Sequence, residues 1–165
     1  MQRIINIRNE NAIKEIANFK EKRFSMTDIK FQNVHLKKIN ELVRLNVFLK
    51  NDLFINSSTL WELMQPVGLT GSHNHHGLTP EDVLSALLGL SNPFGVFIAK
   101  NGRYLIVPVM TSSFNMPLLV VIETRSDLVN DKNAKANKIV TIYPSSKLKE
   151  LLKQIKSKDV LFIKK

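Results

Sequence analysis

Cysteine is absent from the 165 residues. That excludes a disulfide scaffold, a thiolate zinc site and a cysteine nucleophile. Glycine is scarce and scattered, six residues in all. No phosphate-cradling loop, dinucleotide fingerprint, serine elbow or HExxH helix can be read from the chain. Most cofactor-dependent enzymes are removed on that ground, and neither a cofactor nor a metal is expected. No apolar run approaches the roughly 18 residues of a membrane span. The opening stretch MQRIINIRNENAIKEI is too polar for a signal peptide. A cytoplasmic protein, not bound to a membrane, is expected.

Acidic residues are also in short supply, 14 against 24 Lys and Arg, for a net charge of +10. The imbalance is uneven. Residues 132–165 hold ten lysines against Glu150 and Asp159. A surface of that sign suits a polyanion such as RNA or DNA. The same excess also follows from a Lys-, Asn- and Ile-rich composition, without any function. Hydrophobic residues make up 44%, enough for one proper core.

Three of the four histidines, His73, His75 and His76, crowd into five residues, directly before a strong helix start. Thr79 is a good N-cap, Pro80 suits the first helical position, and Glu81 and Asp82 place negative charge on the first turn. Apolar residues then run through Val83, Leu84, Ala86, Leu87, Leu88 and Leu90, and Asn92-Pro93 stops the helix. A loop that titrates near neutral pH is thus held at the mouth of a buried helix. The cluster reads as a metal site, as a solvated loop, or as the seat of a general acid or base, His76 above all.

The rest of the chain is organised around it. Residues 1–50 read as a separable helical extension, with helices near 12–19 and 35–49. Residues 52–55 form a short strand leading to a helix with Thr59 and Glu62 as a capping box; Trp61 on it suits the core better than a base-stacking role. Strands follow at 94–100 and 104–110 about an Asn101-Gly102 hairpin, then at 117–124 and 138–143, with a polar loop over 125–136. In the last of these strands alternation places Ile139, Thr141 and Tyr143 on one face. A late amphipathic helix capped by Ser145 or Ser146, and an edge strand 160–163, close the chain. The fold class expected is α+β: N-terminal helices packed on an antiparallel sheet of about four strands.

As an ordered set these pieces resemble the toxin domains at the C-termini of phage MuF-type head proteins and related mobile elements, of the barnase–EndoU–colicin–RelE group of ribonucleases. The matching residues are FINSSTLWELM, His76-Gly-Leu-Thr79, the helix ending in Asn92-Pro93, GVFIAKNGRYLIVPV, LLVVIET and Asn137 to Tyr143. They span about 53 to 163, and the nuclease domain would be 51–165. The resemblance implies metal-independent RNA cleavage by attack of the 2′-hydroxyl on the adjacent phosphate, on a concave sheet face. It implies His76 as the proton-transfer residue, chosen over His75 by the His-x-Leu-Thr spacing, with Thr141 and Tyr143 lining the site. Glu123 or His75 is the candidate for the second proton role. Lys138, Arg103, Lys100 and Ser145 are candidate substrate contacts. RNA is the expected partner and an immunity protein a possible one. The competing readings are a non-catalytic RNA- or protein-binding module, or a phage structural protein, on the same fold.

Overall fold

The computed structural model describes residues 4–8, 11–21, 26–68, 75–109, 115–128 and 131–165. Among the described residues, eight strands form one mixed sheet. In chain order they are β1 (Ile5–Ile7), β2 (Asp28–His35), β3 (Asp52–Asn56), β4 (Pro93–Ile98), β5 (Arg103–Pro108), β6 (Leu118–Leu128), β7 (Asp131–Pro144) and β8 (Val160–Ile163). They lie side by side as β1-β2-β3-β7-β6-β5-β4-β8. The helices are α1 (Ala12–Glu21), α2 (Lys37–Val43), α3 (Ser57–Leu63), α4 (Pro80–Leu88) and α5 (Leu148–Gln154).

This overturns the expected four-stranded antiparallel sheet. Residues 1–50 are not only helical. They contribute β1 and β2, which pair in parallel across α1. The helix expected over 35–49 is shorter, because His35 ends β2 and α2 stops at Val43. The second parallel contact, Leu53 with Asn137 and Phe54 with Lys138, joins β3 to β7. That pairing fuses the N-terminal strands to the C-terminal meander. Residues 125–128 and 131–136 of the polar stretch extend β6 and β7, with Ser126 opposite Ala136 and Asp127 opposite Lys135.

The core explains the layering. Ile16 and Phe19 of α1, Ile39 of α2, Leu60 and Leu63 of α3, and Val83, Ala86 and Leu87 of α4 are buried in one cluster with Ile29, Ile55, Val120, Ile122, Ile139 and Ile142 of the strands. Each of these side chains larger than alanine contributes about 1.5–3 kcal/mol by leaving water. The opposite sheet face holds a smaller cluster of Phe97, Leu105, Val107 and Leu119, covered by Leu148, Leu151, Leu152 and Ile155 from α5 and the residues beside it.

One irregularity sets the faces of β7. Thr141 lies opposite Val121, but Ile139 lies opposite Ile122, so Val140 is an inserted residue. The bulge resets the alternation. Ile139 therefore joins Ile142 in the main core, and not Thr141 and Tyr143 on the other face as strict alternation requires. Tyr143 and Val121 pack towards the α5 cluster instead.

The hairpin at Asn101-Gly102 is present, with φ of 61° and 71°. α3 begins at Ser57: of the run Asn56 to Thr59, whose residues can all cap a helix, Asn56 is the N-cap and accepts from the Ser58 amide at 2.8 Å, so the Thr59–Glu62 capping box does not form. α5 is capped by neither serine; Lys147 occupies the N-cap and donates its amide to Ser145 Oγ at 3.2 Å. Among the described residues no helix is long and apolar enough to cross a membrane.

Candidate functional site

The capping box before α4 fixes the histidine loop from one side. Thr79 Oγ1 accepts from the Asp82 amide and Asp82 Oδ2 accepts from the Thr79 amide, both at 3.0 Å. α3 fixes it from the other. The Gly77 amide donates to the Gln65 carbonyl at 2.8 Å and the Leu78 amide to the Leu63 carbonyl at 3.0 Å. Gly77 has φ +62°, a left-handed conformation that costs a side-chain-bearing residue about 1–2 kcal/mol. These clips turn the two adjacent histidines apart. His75 is buried, 6% exposed, with its ring edge-on to Trp61 at 5.9 Å. His76 swings to β7.

There it meets the two residues that the family resemblance paired with it. Its Nε2 lies 3.2 Å from Thr141 Oγ1, and its ring centroid is 5.9 Å from that of Tyr143, tilted by 39°. The topology makes the room. β3 ends at Asn56 and its chain turns into α3, so Thr141 and Tyr143 lie beyond the end of β7's parallel neighbour, where the His76 loop comes alongside.

Burial lowers the His76 pKa from its ordinary 6.5, and the neighbouring His75 lowers it further. The imidazole is therefore neutral at neutral pH and able to accept a proton. Burial raises the Tyr143 pKa from its ordinary 10.0, so the phenol keeps its proton and remains a donor.

The other candidates are placed elsewhere. Glu123 and Arg103 face each other across β6 and β5, 3.5 Å apart as a partly exposed ion pair. Glu123 also lies opposite Lys138. Lys138 is not a surface cation: its side chain is 12% exposed and its Nζ is 2.9 Å from Asp28 Oδ1, whose side chain is 3% exposed. Lys100 is exposed at the start of the Asn101-Gly102 turn, where its carbonyl accepts from the Arg103 amide. Ser145 directly follows β7, and its amide donates to the Pro117 carbonyl at 3.0 Å. His73 lies outside the described residues. Among those described, no three His, Asp or Glu side chains gather as a metal site would.

His76 also forms part of the wall of a groove of about 770 Å³. Met64, Val67, Met116, Pro144 and Lys20 are among the residues that line it. None of these was singled out from the sequence, because α1, α3 and the end of β7 meet only in the folded chain. Gly77 did carry a local signal: glycine directly after the histidines and before the cap marks a positive-φ turn.

A family model described as the phage MuF C-terminal domain matches residues 69–165. No curated protein and no solved structure matches the chain.

Proposed function

The chain belongs to the phage MuF C-terminal domain family, and from that premise we propose that it is a metal-independent endoribonuclease with His76 as its base. The observation that carries the reading is the contact of His76 Nε2 with Thr141 Oγ1 beside Tyr143, at the wall of an open groove.

In this reaction the neutral His76 takes the proton of a ribose 2′-hydroxyl. The 2′ oxygen attacks the adjacent phosphorus, and the bond from phosphorus to the 5′ oxygen breaks. Tyr143 supplies a proton to that leaving oxygen, and the imidazolium returns its proton to the phenolate. The products are a cyclic 2′,3′-phosphate end and a free 5′-hydroxyl, with both side chains restored. Thr141 holds the imidazole plane, its hydroxyl serving either tautomer as donor or acceptor. The net charge of +10 draws the substrate in, with the strong salt dependence of phosphate contacts.

The test is total RNA incubated with wild type and His76→Ala, with and without chelator. Cleavage in chelator, reduced at least ~100-fold by the substitution, is expected of a proton-transfer residue. Salt-sensitive RNA binding with no cleavage by the wild type would replace this reading with the non-catalytic one.

A further inference from the structure

We infer that the groove beside His76 is a nucleobase subsite, which seats one unstacked base of single-stranded RNA while Lys20 holds a flanking phosphate. The inference rests on the ribonuclease reading and adds to it where the substrate lies. Three observations point the same way. First, the groove and the proposed reaction centre share His76, so a base entering the groove belongs to a nucleotide next to the scissile phosphate. Second, Met64, Met116, Pro144 and Val67 are among the residues that line the groove. Such flat or polarisable apolar surfaces favour an aromatic face and offer little to a hydrated phosphate. Its volume of about 770 Å³ suits a small organic group. Third, among the described residues a single cation, Lys20 of α1, lines the groove, with Glu21 beside it, so the groove offers one phosphate contact and is not a continuous anion track.

Two features bear on selectivity. The Gln65 amide, which also borders the groove, donates Nε2 to the Lys20 and Trp61 carbonyls at 3.2 and 3.1 Å. It serves to join α1 to α3, and the subsite holds its base mainly by shape and stacking. Stacking of that kind tolerates any base. In addition, Lys20, Met64 and Val67 all precede the matched segment 69–165, so the N-terminal region supplies part of the substrate site.

The experiment uses full-length His76→Ala protein, which spares the RNA, and two single-stranded octamers: one of mixed sequence and one with the same ribose-phosphate backbone and no bases. Val67→Asn and Met116→Ala leave the charge unchanged, and Val67 is 75% exposed, so its replacement does not threaten the fold. Each is expected to weaken the base-bearing octamer roughly tenfold, the scale of one stacked base, and to leave the abasic octamer unaffected. Lys20→Met is expected to weaken both. In the same samples the Met116 methyl NMR signal should move upfield with the base-bearing octamer only. Equal binding of the two octamers, with that signal unmoved, overturns the subsite while wild-type cleavage leaves the ribonuclease reading standing. No binding of either octamer and no wild-type cleavage overturns both.

Discussion

His76 Nε2 and Thr141 Oγ1 are 3.2 Å apart although 65 residues separate them in the chain. The contact fixes the imidazole in a loop that would otherwise leave its ring free to rotate. Thr141→Val keeps the side-chain volume and removes the hydroxyl. It should lower the RNA cleavage rate on the order of five- to tenfold, the worth of one hydrogen bond near 1 kcal/mol. Thr141→Ser should recover most of the loss. Equal rates for all three proteins would show that the contact does not orient the base.

The pH dependence follows from the lowered pKa of His76. In the proposed reaction the neutral ring is the active form, so cleavage should rise with pH through a value below 6.5 and be flat at neutrality. Stability has the same sign. The folded chain takes up this proton less readily than the unfolded one, so the contribution of His76 is complete above 6.5 and declines as pH falls through it. The decline levels off below the lowered folded value. Urea denaturation between pH 4 and 8 should show this fall for wild type and a shallower one for His76→Gln.

Gly77 tests the placement of the loop. Gly77→Ala meets no close atom, since the nearest, Val67 Cγ2, is 3.6 Å from the added Cβ. The cost is in the backbone, about 1–2 kcal/mol for a left-handed alanine. Thr79→Ala removes half of the capping box and costs about 1 kcal/mol without changing the backbone beside His76. At matched stability Gly77→Ala should lose more cleavage than Thr79→Ala. A loss in proportion to stability alone would mean that the turn does not aim the ring.

Lys138 separates a structural role from a substrate contact. Lys138→Met leaves the Asp28 carboxylate, 3% exposed, without its cation. The cost should be about 3 kcal/mol or more in chemical denaturation. Asp28→Asn combined with Lys138→Met should recover much of it. If Lys138→Met is fully stable and merely binds RNA less well, the lysine is a substrate contact.

The local signals of the sequence were legible and the distant ones were not. Thr79-Pro80 with Asp82 marks the start of α4, and Asn101-Gly102 marks the hairpin, because each is settled by residues a few positions apart. The pairing of His76 with Thr141 and Tyr143 was implied by the family resemblance and not by the residues alone, since Thr and Tyr are also ordinary strand residues. The membership of Ile139 was not legible, because the inserted Val140 changes the face of everything before it and no residue type announces a bulge there. β1, three residues long, carries too little pattern to be told from helix or loop. β3 was legible as a short strand over 52–55, but its place in the sheet was not, because its parallel partner β7 lies far along the chain. The groove was invisible for the same reason: Lys20, Met64, Met116 and Pro144 come from four separate segments.

Asn137 Nδ2 reaches the Asp52 carbonyl across 85 residues, and β3 and β7 meet at that point. Closing so long a span costs chain entropy that only the completed pairing repays. Until the two halves of the sheet have zipped together, the imidazole has no hydroxyl to rest on. On the ribonuclease reading, a chain still being made, or one partly pulled open, should not cleave RNA, and loss of cleavage on heating should follow the unfolding of the sheet.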